Sequence, residues 1–124
     1  MTIIISLGGS LIVPGAIDTA FLEKFRALLL SEIQRGRTFV LICGGGETAR
    51  SYQRAARVAG TLTPYDLDWL GIHATRLNAH LLRTVFREVA HPVVLKDPRK
   101  KIMTSKPLLI AAGWKPGFST DYDA

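Results

Sequence analysis

Cysteine is nearly missing from this 124-residue chain; Cys43 stands alone. A single thiol excludes an internal disulfide and a zinc site built on thiolates. Its expected role is a small apolar filler at a strand end, not a nucleophile. The three histidines, His73, His80 and His91, show no metal-ligand spacing with a carboxylate partner. His73 and His80 share a helix and are expected to pack or face solvent. Long apolar runs are lacking too. No stretch reaches the roughly 18 residues of a membrane helix. The N-terminus has too short an apolar run, and no basic lead, for a signal peptide. Cytoplasmic is therefore the expected default. Acidic residues are the minority, 10 against 16 Lys and Arg, for a net charge of +6. That balance fits a phosphate-bearing partner but does not separate nucleotides from nucleic acid. The run Lys96-Asp97-Pro98-Arg99-Lys100-Lys101 lacks the aromatic platforms of a single-strand binder and reads as a solvated loop.

What is present is a soluble globular composition, 48% apolar and 21% charged, in one domain's length. Residues 2–7 read as a buried strand closed by Gly8-Gly9. Ile17 to Arg35 reads as a helix, capped by Asp18 or Thr19 and stopped by Gly36. Its apolar face comprises Phe21, Leu22, Phe25, Leu28, Leu29 and Ile33. Residues 38–43 read as a second buried strand, and Glu47 to Val58 as a second helix ended by Gly60. Pro64 opens a third helix running to about Val89. Leu70, Ala74, Leu77, Leu81 and Val85 line one side of it. Arg76, His80, Arg83 and Arg87 line another, expected to face solvent or a second subunit. Pro92–Leu95 and Leu108–Ala112 read as further strands. Thr120-Asp121-Tyr122-Asp123-Ala124 resembles a helix start. There is no internal repeat.

Strands alternating with helices imply a mostly parallel sheet covered on both faces. Three glycine-marked turns follow its strands: Gly8-Gly9-Ser10, Gly44-Gly45-Gly46, and Gly113-Trp114-Lys115-Pro116-Gly117. Bare backbone N–H groups at such turns, with a helix start behind them, make anion sites. In a parallel sheet all three lie at the carboxyl edge, where ligands bind. Each has a plain alternative: a tight turn needing positive φ at Gly8-Gly9, or an ordinary Pro-Gly turn at 116–117. Arg50 is either a phosphate fork or an exposed helix arginine. Asp68 is either a ligand group or a helix cap, with Asp66 the nearer cap candidate to Pro64-Tyr65.

The ordered set of motifs resembles the amino acid kinase superfamily, and most closely its uridylate (UMP) kinases of the archaeal type. The matching residues are Leu7-Gly8-Gly9-Ser10, Gly44-Gly45-Gly46-Glu47-Thr48-Ala49-Arg50, Asp68-Trp69-Leu70-Gly71-Ile72, Ala74-Thr75-Arg76-Leu77-Asn78-Ala79 and Gly117-Phe118-Ser119-Thr120-Asp121. The resemblance implies an α/β three-layer sandwich with a mostly parallel sheet, the carbamate kinase-like fold, here incomplete. Residues 1–124 would form its N-terminal, acceptor-nucleotide part, and the C-terminal ATP-binding part would be absent. The implied activity is transfer of the ATP γ-phosphoryl group to UMP. Gly9, Ser10, Gly46 and Arg50 would contact ATP. Gly45, Asp68, Trp114, Lys115, Pro116, Gly117, Phe118, Ser119 and Thr120 would contact UMP, with Asp68 on the ribose hydroxyls. Thr75 and Asn78 are expected to be structural or interfacial. Magnesium would arrive with ATP, with no tightly bound protein metal. The partners implied are UMP, ATP and further copies in a hexamer, with no nucleic acid and no membrane.

One position departs from the superfamily pattern. Many members carry a lysine two residues before the first glycine, where this chain has Ser6. Archaeal-type uridylate kinases also tend to lack it. Charge on the transferred group would then be met by Lys115, by Arg50 or by the missing part, and the catalytic residues are not assignable. Other kinases of the superfamily fit less well: acetylglutamate kinases usually place a histidine where Cys43 stands. A non-catalytic nucleotide-binding or storage protein on the same fold is the remaining alternative. The 124-residue chain alone is expected to be poorly stable and inactive.

Overall fold

The computed structural model describes residues 2–100 and 102–116. In chain order the elements are β1 (Thr2–Leu7), α1 (Gly9–Ile12), α2 (Thr19–Gln34), β2 (Thr38–Cys43), α3 (Gly46–Ala59), α4 (Pro64–Val85) and β3 (Leu108–Ala111). The sheet order is β1-β2-β3, and both pairings are parallel. Register runs Thr2 to Thr38 through Leu7 to Cys43, and Phe39 to Leu108 through Ile42 to Ala111. The glycine turns expected after the strands therefore share one edge.

The boundaries of the helices follow their end residues. Asp18 Oδ1 accepts the Phe21 N–H at 2.9 Å and starts α2. At the other end the N–H groups of Gly36 and Arg37 return to the carbonyls of Ile33 and Glu32, with Gly36 at φ +89°. That is a left-handed stop only glycine adopts readily. Thr63 caps α4. Its hydroxyl accepts the Asp66 N–H while the Asp66 carboxylate accepts the Thr63 N–H, and Pro64 sits at the first helical position. These bonds hold the Asp66 carboxyl below its ordinary range.

The main core cluster uses one parity of the sheet. Leu7, Phe39, Leu41, Cys43, Leu108, Ile110 and Ala112 pack with Leu22 and Leu29 of α2 and with Ala79, Leu82 and Phe86 from α4 and its end. Each fully buried aliphatic side chain contributes roughly 1.5–3 kcal/mol. Phe25 meets Phe86 edge to face at 6.0 Å. Arg26 locks α2 to the end of α4 by donating to the Val85 carbonyl and pairing with Glu88. The other parity carries Ile4, 55% exposed, Val40 and Leu109, half-buried, and toward the carboxyl edge Ile42 and Ala111, which are buried.

Four expectations are corrected. Residues 2–7 form a mostly exposed strand, not a buried one, because among the described residues β1 has a neighbour on one side only. Residues 92–95 form no strand. Only isolated bridges at Ala90 and Leu95 reach β3, five residues apart against three on their partner, and Pro92 has no N–H to give. Leu28 is 58% exposed, outside the buried stripe of α2. In α4 the buried residues are Ile72, Ala74, Thr75, Asn78, Ala79 and Leu82, while Leu77 is 62% exposed. The buried stripe is thus rotated from the purely apolar one, because Thr75 and Asn78 are taken inside. The expected helix start at 120–124 lies outside the described residues.

Candidate functional site

Each of the three glycine turns leaves the carboxyl end of its strand, and two of them touch through backbone alone. A Cβ on Gly9 would stand 2.0 Å from Gly46 N, 2.6 Å from Gly45 C and 2.7 Å from Gly44 C. No side chain fits there. Reciprocally, a Cβ on Gly46 would meet the Gly9 carbonyl at 2.3 Å, and Gly46 lies at φ +60°. Gly8 and Gly9 do not have positive φ. Close approach, not turn geometry, is what requires glycine at position 9. The Val13 carbonyl accepts the Glu47 N–H at 3.0 Å, joining the end of α1 to the first turn of α3.

The third turn is joined to the others by α4. Asp68, Gly71, Thr75 and Asn78 stand at i, i+3, i+7 and i+10, one stripe of the helix. Asn78, buried, donates its Nδ2 to the carbonyls of Gly44 at 2.9 Å and Gly45 at 3.0 Å. Thr75, buried, accepts the Gly113 N–H at 2.9 Å and donates to the Ile72 carbonyl at 2.7 Å. Arg76 adds a fork, Nε to the Gly113 carbonyl at 3.1 Å and a terminal nitrogen to that of Trp114 at 2.6 Å. Its guanidinium also lies 5.7 Å from the Trp69 ring. Thr75, Arg76 and Asn78 thus hold two loops that leave different strands. Asp68 occupies the exposed end of the same stripe.

The charges around this edge are mostly basic. The N-terminus of α3 directs its dipole at the Gly44–Gly46 turn. Glu47 follows in the first turn, pairing with Arg50 at 3.0 Å and with Arg54. Hydrogen bonds from Arg54 and then Arg50 hold its carboxyl below the usual range. The Trp114 ring carries two cations, Lys115 Nζ at 4.3 Å and the Arg99 guanidinium at 4.5 Å. Arg99 is itself paired with Asp97, whose carboxyl that bond lowers. Cys43 ends β2 fully buried, and burial pushes its thiol up to about 12. A thiol so placed is apolar filling, as its position in the sequence indicates. Among the described residues no group of His, Cys, Asp and Glu could hold a metal ion.

Of the residues singled out in the sequence, Gly9, Gly45 and Gly46 are in contact, and Ser10 is exposed in α1 beside them. Trp114 and Pro116 are half-buried and Lys115 is exposed. Gly117, Phe118, Ser119 and Thr120 lie outside the described residues. Thr75 and Asn78 have the structural role expected of them. Arg76 does not face solvent as its basic row suggests, and Arg99 reaches Trp114 from a run read as a solvated loop. Neither contact with the third turn has a local signal, because Gly113 and Trp114 lie 15 or more residues away from Arg76 and Arg99 in the chain.

Parallel strands whose glycine turns meet at one edge of the sheet define an α/β fold of the kinase type, and the amino acid kinase family model matches residues 1–113. The chain belongs to that family. The uridylate kinase of Thermococcus sibiricus is 39% identical over 125 residues, covering 98% of this chain and 54% of its own. That of Methanosarcina mazei is 37% identical over 123 residues, covering 98% and 52%. The crystal structure of uridylate kinase from Archaeoglobus fulgidus superposes with a TM-score of 0.80 at 30% identity, over 98% of this chain and 54% of that one. Aspartate kinase from Synechocystis, at 12% identity and a TM-score of 0.73 over 92% and 22%, shares the fold. The chain spans about half the length of the curated relatives it matches.

Proposed function

We propose that this chain is the acceptor-nucleotide part of a UMP kinase, which transfers the γ-phosphoryl group of ATP to UMP and yields UDP and ADP. The observation that carries the reading is the backbone contact of Gly9 with Gly44–Gly46, held by α4 together with the Gly113–Trp114 turn. Phosphoryl transfer asks mainly that two anionic substrates be aligned and their charge neutralised. Backbone amides at touching turns suit both tasks, because no side chain separates the two phosphates. The uridylate kinase relatives supply the choice of UMP.

In this reading Gly9, Ser10 and Gly46 present N–H groups to ATP, which brings its own Mg2+. Gly45 faces the UMP phosphate, and Asp68 accepts from the ribose hydroxyls. Trp114, Lys115, Pro116, Gly117, Phe118, Ser119 and Thr120 wrap the acceptor. Arg50 and Lys115 supply positive charge, Arg50 by leaving Glu47 for phosphate. The adenine and ribose contacts of ATP come from the C-terminal half that a chain of the relatives' length carries, and copies of the whole protein assemble as a hexamer in the cytoplasm. The test is turnover by the intact protein: UDP formed from UMP and MgATP, with CMP and glutamate as competing acceptors. UDP formation that outpaces both is expected.

A second reading is favoured by Ser6, which stands where a charge-neutralising lysine would, and by the engagement of Arg50 with Glu47. It is a nucleotide-binding protein without turnover. Tight UMP binding with no UDP formed by the intact protein would select it.

A further inference from the structure

We propose that Asn78 is a positioning residue for phosphate: its buried carboxamide turns the amides of Gly45 and Gly46 toward the open edge of the sheet. The proposal rests on the nucleotide-kinase reading above and adds a residue that touches neither substrate. Asn78 is 3% exposed and its Nδ2 donates to two successive carbonyls, those of Gly44 and Gly45. Two carbonyls require a donor, so the amide nitrogen is the atom between them and the assignment of its orientation is forced by chemistry. All peptide bonds among the described residues are trans. In a trans peptide the carbonyl of one residue and the N–H of the next point in opposite directions. Carbonyls drawn toward α4 therefore send the Gly45 and Gly46 N–H groups the other way. No backbone carbonyl among the described residues accepts from either of them.

Glycine makes this tie necessary. A triple-glycine turn has the widest choice of backbone conformations and loses the most entropy when fixed. The close approach of Gly9 limits the turn sterically, but steric contact alone does not set which way a peptide plane faces. Two hydrogen bonds from one helical side chain do; at Gly45 they act together with the Ala49 N–H, which donates to the same carbonyl at 3.3 Å, while at Gly44 the carbonyl is held by Asn78. Thr75, one turn earlier on the same stripe, fixes the Gly113 N–H in the same manner. Asn78 thereby sets the amide direction at the turn shared by donor and acceptor phosphates.

The test compares the intact wild-type protein with Asn78→Asp, which keeps shape but sets a carboxylate against two carbonyls, and Asn78→Leu, which keeps volume without a donor. UMP and uridine affinities are measured for each. Loss of UMP affinity of tenfold or more, with uridine affinity within twofold, is expected in both variants. UMP affinity within twofold of wild type, or an equal loss for UMP and uridine, would overturn the proposal. A second measurement needs no variant: the amide NMR resonances of Gly45 and Gly46 in the wild type must shift on addition of UMP. If the protein binds UMP and neither amide moves, the positioning role is wrong while the functional reading stands. If wild type binds no UMP, both fall.

Discussion

Gly9 and Gly8 adjoin, yet the structure gives them different duties. A methyl at Gly9 collides with three backbone atoms of the Gly44–Gly46 turn, none of which is the end of a flexible side chain. Gly9→Ala is expected to destabilise the fold by about 3 kcal/mol, since overpacking against backbone cannot relax by rotamer change. A Cβ on Gly8 meets nothing within 4 Å, and its φ of −55° suits any residue. Gly8→Ala should change stability by less than about 1 kcal/mol. Urea midpoints of the two variants check the contrast; equal losses would refute it. Cys43 gives a pH-dependent case. Burial raises its thiol from 9.0 to about 12, so the folded chain keeps a proton that the unfolded chain gives up above pH 9. Stability tied to this group is fully present below pH 9 and falls as pH rises toward 12. Between pH 8 and 10 the wild type should lose about 1 kcal/mol more than Cys43→Ala, a difference that cancels the other titrating groups.

At the scale of elements, α4 is where the sequence was most partial as a guide. Its start is legible, with Pro64 first and acidic residues in the first turn. Its apolar stripe misleads, because hydrophobic periodicity alone counts Leu77 as core and leaves Thr75 and Asn78 out of it. The structure reverses this, since two loops with bare peptide groups need buried partners and only polar side chains provide them. Arg76 is hidden for the same reason: a residue's spacing shows its helix face but not the loop that arrives there from 37 residues away. Strand ends and glycine stops were readable because they depend on neighbours in the chain. The segment 92–95 was misread because a short apolar run alone does not show whether an edge is regular. Thr75→Val tests the element account. It keeps shape and burial but leaves the Gly113 N–H without its acceptor, which should cost about 1–3 kcal/mol. A melting temperature equal to wild type would show that the third turn does not depend on α4.

For the whole molecule, the parallel topology and the gathering of the glycine turns at one edge were legible, since βα alternation permits few arrangements. The extent of the sheet was not. One parity of the described sheet is filled by α2 and α4, while the other is buried at Ile42 and Ala111 and partly exposed at Ile4, Val40 and Leu109. Uridylate kinases of about twice this length match the chain across nearly all of it. No helix among the described residues is long and apolar enough to cross a membrane. The central claim is that these turns bind the acceptor nucleotide. The most direct measurement is a titration of UMP into this chain while its thermal unfolding is followed, with CMP and glutamate as controls. The account predicts a melting temperature that rises with UMP concentration and does not rise with glutamate, because a ligand bound only by the folded state stabilises it by mass action. A cooperative melt that UMP leaves unmoved would contradict it.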